Sequence, residues 1–348
     1  MGIVNVTPDS FSDGGSFIDA DKAVAAARRL AAEGADIIDI GAESTRPGSL
    51  PVAEDEEWRR LEPVLHGLAG FDRPVSVDTR HPSVMRRSIA AGACIINDVA
   101  GFRGQAAIDA VAASDVGLVA MHMKGEPRTM QQAPYYDDVV KEVGDFLREQ
   151  RDLLEKAGVA RDRICLDPGF GFGKSLEHNV TLLAGLAALR GLECPILVGM
   201  SRKSMVGQLS GLPIAERLGS SIAAALAAVA RGAHIVRVHD VAQTTAALTV
   251  WRAVEEKSRG AGTSPPGRGG WPGFEPGGYG RSGRNRWLVV ISERMVCAVV
   301  SASRRSRRIS SCTSATRPAR CSLKTPAGGR RCCSARTRAS RATCSNRR

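Results

Sequence analysis

No stretch of this chain approaches the roughly 20 consecutive apolar residues that a membrane-spanning helix needs. The segment WLVVISERMVCAVV (287–300) is too short and too charged to serve as one. Met1 leads directly into a β-branched run, without the basic and apolar regions of a secretory signal. These absences argue against a membrane partner and predict a soluble protein. Paired cysteines are missing from the first three quarters, where Cys94, Cys165 and Cys194 stand singly, a pattern that suits the reducing cytoplasm. Acid is missing from the last quarter: residues 258–348 hold only Glu275 and Glu293 against 19 Arg and Lys324.

That last absence divides the chain. The whole carries 48 Lys+Arg, 36 Asp+Glu and a formal charge of +12, which would suggest a nucleic-acid partner. The tail alone contributes +18, so residues 1–257 carry −6. The tail is rich in Gly, Pro, Arg and Ser, lacks hydrophobic periodicity and cannot supply a core, which predicts disorder. Its cysteines (Cys297, Cys312, Cys321, Cys332, Cys333, Cys344) form no paired zinc-ligand spacing. One reading is an RNA-binding arm, with arginines on phosphates and Trp271, Tyr279 and Trp287 stacking on bases. A GC-rich gene translated out of frame gives the same residue mixture and is the favoured reading.

Residues 1–257 alternate short β-branched runs with longer Ala/Leu-rich segments of helical period, the mark of repeated βα units and a parallel sheet. The runs are IVNV (3–6), DIIDIG (36–41), VSVD (75–78), CIIND (94–98), LVAMHM (118–123), ICLD (164–167), ILVGM (196–200) and IVRVH (235–239). Helices are expected over Asp21–Ala32, Tyr136–Lys156 and Ile214–Ala230. Eight units in about 250 residues predict a closed (β/α)8 TIM barrel, class α/β, rather than a doubly wound sheet.

Polar residues then recur where such runs are normally apolar. Asn5, Asp39, Glu43, Asp78, Asn97, Asp98, Asp167, Arg237 and His239 all stand at or just past strand C-termini. A lone asparagine at a strand end is most simply a cap for nearby backbone groups. A whole set at one end is not. Strand alternation puts Ser76 with Asp78, Cys165 with Asp167, and Arg237 with His239 on one face, and Val75, Val77, Leu166, Val236 and Val238 on the other. The valine face should meet the helices and the polar face should line the barrel mouth, where such barrels build active sites. Carboxylates, an amide and a lysine suit a flat heterocycle with donors and acceptors on its edge. Arg46, Arg237 and His239 suit an anion such as a phosphate. Asn5 offers one oxygen to a Mg²⁺ that keeps most of its waters. The residues alone therefore indicate a barrel enzyme acting on a heterocycle with a phosphate-type group.

Seven segments, NVTPDSFSDGG (5–15), ESTRPG (43–48), SVDTR (76–80), IINDVAG (95–101), DPGFGFGK (167–174), SRKSM (201–205) and RVHDV (237–241), occur in order at strand ends. Together they resemble the dihydropteroate synthase family, over nearly three quarters of the chain. The resemblance implies a barrel that joins 4-aminobenzoate to 7,8-dihydropterin-6-ylmethyl diphosphate, with Mg²⁺ as cofactor, release of diphosphate, and a homodimer. It assigns Asp78, Asn97, Met121, Asp167, Gly199 and Lys203 to the pterin, and Asn5 to the metal. Asn5, Thr45, Arg46, Arg237 and His239 fall to the diphosphate. Phe11, Thr45, Arg46, Pro47, Phe172, Lys203 and Ser204 fall to the aminobenzoate, and catalysis rests on Asp78, Lys203, Arg237 and His239. The loops carrying Pro8, Asp9, Ser10 and Phe11, and Thr45, Arg46 and Pro47, match segments that close over the site. Sulfonamides, which imitate 4-aminobenzoate, are the implied inhibitors.

Other signals weigh less. PGFGFGKS looks like a phosphate-binding P-loop, but Pro168 stands where that pattern needs glycine, so the glycines are read as enabling a tight loop. Lys174 is expected to be a solvated loop charge. His122 is expected to be a satisfied barrel residue, having no second histidine at metal spacing. Asp39 and Asp98 are candidates for structural support. A methyltetrahydrofolate-dependent methyltransferase is the nearest alternative enzyme, although it would not need the anion clamp or the SRKS motif. Family members carry a segment ahead of the first strand that covers the barrel floor, so with Met1 opening that strand the floor is expected to be partly bare.

Overall fold

The computed structural model describes residues 1–6, 16–43 and 51–260. The loop calls on Pro8, Asp9, Ser10, Phe11, Thr45, Arg46 and Pro47, and all calls on the tail, lie outside these residues. Eight parallel strands alternate with helices: β1 (Gly2–Asn5), α1 (Ser16–Ala32), β2 (Ile38–Gly41), α2 (Glu54–Gly67), β3 (Val75–Asp78), α3 (Pro82–Ala90), β4 (Ile95–Asp98), α4 (Gln105–Ala112) and β5 (Gly117–Met121). There follow α5 (Val139–Lys156), β6 (Ile164–Asp167), α6 (Leu176–Ala184), β7 (Leu197–Val198), α7 (Ser204–Ser210), α8 (Leu218–Ala230), β8 (Ile235–Val236) and α9 (Val241–Gly260).

Strands β1 to β6 form one continuous ladder and β7 pairs with β8. Two bridges close the ring, Leu166 with Ile196 and Gly2 with Val238. The backbone bonds Leu166 N to Pro195 O (2.9 Å), Ile3 N to Val238 O (3.1 Å) and Val238 N to Met1 O (3.0 Å) complete it. This is the TIM barrel that the alternating pattern predicts.

Alternation along the strands separates two cores. Val4, Ile38, Ile40, Val75, Val77, Ile96, Leu166, Val198 and Val238 face outward into one large cluster shared with the helices. Met1, Ile37, Ile95, Val119, Cys165, Leu197 and Ile235 face inward and fill the floor. The partly exposed Cys94 packs against this inward cluster from the same end of the barrel. Each fully buried aliphatic side chain contributes on the order of 1.5–3 kcal/mol relative to exposure.

Several boundaries shift from expectation, α1 beginning at Ser16 rather than Asp21 among them, and three of the departures have visible local partners. Helix α5 begins at Val139 rather than Tyr136 because Asp138 caps it, accepting from the amides of Val140 and Lys141 at 3.0 Å. The expected Ile214–Ala230 helix breaks into a 3-10 turn (Ile214–Glu216) and α8. Arg217 at the break donates to the carbonyls of Leu212 (3.0 Å) and Arg202 (3.1 Å). Strand β8 is shorter than expected, although the Arg237 amide still donates to Val198 O (2.9 Å) and Val238 bridges to Gly2, and beyond them the His239 amide donates to Ser201 Oγ (3.2 Å) instead of a backbone partner.

Candidate active site

Register brings the polar strand ends together. Asn5 lies opposite Gly41, Gly41 opposite Asp78, and Asp78 opposite Asn97, a row across four adjacent strands at the mouth. Met121 lies opposite Asp167 on the next pair. Gly41 and Gly199 interrupt the side chains in this tier. A Cβ at Gly41 would come within 3.4 Å of the Asp78 side chain, and one at Gly199 within 3.7 Å of Arg237 Cβ. Their absence leaves room beside the charged groups.

Arg237 is the hub. Its Nε donates to Asp39 Oδ2 at 2.6 Å and its Nη2 to Asp78 Oδ2 at 2.9 Å. Asn97 Nδ2 donates to the same Asp39 oxygen at 3.4 Å. Asp39 is fully buried and its Oδ1 has no partner among the described residues. Asp39 is thus the support of Arg237 and Asn97, one tier below the mouth. Burial works against the Arg237 charge, but the Asp39 and Asp78 carboxylates outweigh it and hold the guanidinium pKa above its ordinary value. Burial raises the pKa of Asp78 despite Arg237, with Asp39 adding repulsion.

Across the mouth, Asp167 Oδ1 accepts from the Gly169 amide at 2.7 Å, and burial raises its pKa against the pull of Lys203. Lys203, the residue just before α7, donates from Nζ to Phe170 O at 2.6 Å and stands 4.5 Å from the Phe172 ring centre. Burial lowers its pKa to about 8, partly offset by Asp167. Met121 and Phe172 are buried in one apolar cluster with Val99, Met123 and Met130. Ser204 opens α7 and is exposed. His239 Nδ1 is 3.1 Å from Ser201 Oγ. Asp98 turns away from the mouth, its two oxygens accepting from the amides of Ala100 (2.8 Å) and Phe102 (2.7 Å).

One expectation is corrected. Lys174 is not a solvated loop charge: it is 3% exposed, and its Nζ lies 2.8 Å from His122 Nδ1, 2.9 Å from Gly169 O and 3.2 Å from Phe172 O. The glycine loop folds back over it, and a polar head with three partners tolerates such burial. His122 is, as expected, a satisfied buried residue. The rim also holds a pair that sequence reasoning did not single out. Arg80 Nε and Nη2 donate to the Glu43 carboxylate at 3.1 and 3.0 Å, anchoring the start of the ESTRPG segment. The only signal available was opposite charge in two neighbouring motifs.

These features, a closed barrel whose mouth gathers carboxylates, an amide, a lysine and an arginine, define a class of barrel enzyme suited to a polar heterocycle. Residues 1–239 match the family described as pterin binding enzyme, and the chain belongs to that family. Dihydropteroate synthase of Escherichia coli (strain K12) is 50% identical over 254 residues, covering 73% of this chain and 90% of that protein. The Neisseria meningitidis serogroup C enzyme of the same name is 51% identical over 259 residues, covering 73% and 92%. Among solved structures, Xanthomonas albilineans dihydropteroate synthase with 4-aminobenzoic acid superposes with a TM-score of 0.69 at 53% identity, covering 73% and 92%. The Burkholderia cenocepacia enzyme complexed with 7,8-dihydropteroate gives 0.67 at 51%, covering 75% and 92%. The Yersinia pestis enzyme with a sulfonamide drug complex gives 0.70 at 47%, covering 74% and 94%.

Proposed function

We infer that this chain is a dihydropteroate synthase, a transferase of folate biosynthesis that condenses 4-aminobenzoate with 7,8-dihydropterin-6-ylmethyl diphosphate. The observation that carries the reading is the convergence of Asp78, Asn97, Asp167, Lys203 and Arg237 on one barrel mouth, in a chain half-identical to enzymes of that name. Asp167 accepts from ring N–H groups, Lys203 donates to a ring carbonyl and Asn97 does either, so the pterin edge finds both kinds of partner. Arg237 commits Nε and one Nη2 proton to the two carboxylates, which leaves Nη1 free in number for diphosphate oxygens alongside His239. The C–O bond breaks with its electron pair going to diphosphate, and the positive charge left on the pterin joins Arg237 in favouring the ionised form of Asp78 against burial, so that the carboxylate offsets the cation. The arylamine is neutral at pH 7, forms the C–N bond and sheds a proton without a dedicated base. Positioning by Phe172, Lys203, Ser204 and the segments carrying Phe11, Thr45, Arg46 and Pro47 does the rest.

Mg²⁺ is the proposed cofactor, and Asn5 offers it one neutral oxygen at the end of β1. A cation that keeps its waters and shares substrate oxygens needs no more than that. Asn5 would hold it, and when bound it offsets the charge growing on the departing diphosphate.

A homodimer and a cytoplasmic location complete the reading. The homodimer is carried over from the family resemblance alone. Among the described residues no helix is long and apolar enough to cross a membrane. The two-part organisation, barrel over 1–257 and basic tail over 258–348, is part of the same proposal. Diphosphate release measured with and without 4-aminobenzoate tests the activity: amine-dependent release with dihydropteroate as product supports it, and well-folded protein that yields none overturns it.

A further inference from the structure

We propose that Lys174 is a positioning residue for the aminobenzoate subsite, tying the glycine loop 168–173 to the end of β5 and thereby holding the Phe172 ring against Lys203. The proposal rests on the assignment of Phe172 and Lys203 to that subsite. The loop runs between two lysines. On one side Lys203 Nζ takes the Phe170 carbonyl (2.6 Å) and faces the Phe172 ring (4.5 Å). On the other, Lys174 Nζ holds the carbonyls of Gly169 and Phe172 and the His122 ring. Phe172 is therefore gripped through its carbonyl by one lysine and met on its ring by the other.

Such a loop needs a clamp. Gly169, Gly171 and Gly173 all adopt left-handed backbone, with φ of 66°, 79° and 63°, and a run of alternating glycines has little rigidity of its own. The clamp is indifferent to its own proton. A charged ammonium has three donors for three acceptors, and a neutral amine has two donors for the carbonyls and a lone pair for a His122 Nδ1–H. His122 is itself fixed, edge-on to Phe146 with ring centres 5.0 Å apart. A second tie is the Tyr136 hydroxyl, which donates to Gly173 O at 2.9 Å. Without the Lys174 head, the buried Phe172 carbonyl regains a partner only by moving toward water, and it takes the ring with it.

Steady-state kinetics of the full chain test this. Lys174→Met keeps the length and removes the head. The expected result is a rise of about tenfold or more in KM for 4-aminobenzoate, with kcat and the calorimetric pterin affinity each within about threefold of the parent. Tyr136→Phe, which removes one tie without changing core volume, should raise the same KM by a smaller factor. It decides the matter if Lys174→Met does not fold. Equal losses toward both substrates, or an unchanged KM in the folded variants, overturn the proposal. Phe172→Ala separates the two layers of the argument. If it leaves the aminobenzoate KM unchanged, the subsite assignment falls and the proposal with it. If it raises that KM while Lys174→Met and Tyr136→Phe do not, the clamp alone is wrong.

Discussion

Strands β1 to β6 and the pair β7–β8 build the same barrel with different means. The first six run four or five residues in an unbroken ladder, whereas β7 and β8 pair over two residues each and join the rest through single bridges. The long ladder carries Asp78, Asn97 and Asp167 at its upper edge, and the short pair carries Gly199, Lys203, Arg237 and His239 on or just beyond its ends. Where backbone pairing is sparse, side chains take over: Arg237 crosses to Asp39 and Asp78 on β2 and β3, and Ser201 fills the His239 amide. The cationic half of the candidate site is thus held to the anionic half by the same charges that the proposed reaction calls on.

Removing Arg237 should break this arrangement most severely. Arg237→Ala leaves two buried carboxylates unpaired, a cost on the order of 3–5 kcal/mol, and also strips the diphosphate of its fork. We expect kcat/KM to fall by at least about a thousandfold, with a lowered melting temperature, read by diphosphate release and calorimetry. A variant that loses activity but not stability would show that the cross-barrel bonds are dispensable to the fold.

On the laddered side the loss should be confined to binding. Asp167→Ala removes a charged partner in a buried slot and should weaken pterin affinity roughly 10- to 100-fold, with little loss of inorganic diphosphate binding. Comparable weakening of both ligands in titration calorimetry would dissolve the distinction between the halves.

A pH profile sharpens it further. With the Lys203 pKa lowered to about 8, the ammonium proposed to donate to the ring is lost as pH rises through that value. kcat/KM for the pterin substrate should then fall about tenfold per unit above it, and the falling limb should move upward in Lys203→Arg. A limb unmoved by that change would belong to another group.

The smallest effect is one of dynamics. Hydrogen exchange should find the amides of Leu197, Val198, Ile235 and Val236 less protected than those of Val77, Ile96 and Leu118, because a two-residue ladder opens with fewer bonds. Equal protection would mean that Arg237 and the bridges fully compensate for the missing ladder.

Much of this was legible beforehand. Period-two alternation in VSVD, ICLD and IVRVH separates Asp78, Asp167 and Arg237 from their valine and leucine neighbours, and the eight βα units predict the barrel. The partner of the His239 amide was not legible, since nothing in IVRVH says that Ser201, 38 residues away, takes it. Lys174 was misread for a related reason. A lysine after alternating glycines looks solvated until His122, 52 residues earlier, is brought beside it. Asp39 obeys the same alternation as Asp78, but only its contacts with Arg237 and Asn97 assign it a task.

The glycine loop also limits how this enzyme can change. A Cβ at Gly169 would lie 1.8 Å from the His122 carbonyl oxygen, and one at Gly173 2.1 Å from that of Lys124. Both positions already sit in left-handed backbone that other residues rarely adopt. In a saturation library these two sites should tolerate essentially no replacement, so the backbone of this loop is closed to stepwise adaptation, and with it one wall of the proposed aminobenzoate subsite. Variants selected for altered ligand size must alter the Phe172 ring or the opposite wall, which makes the direction of evolutionary escape a matter of steric exclusion as much as of binding energy.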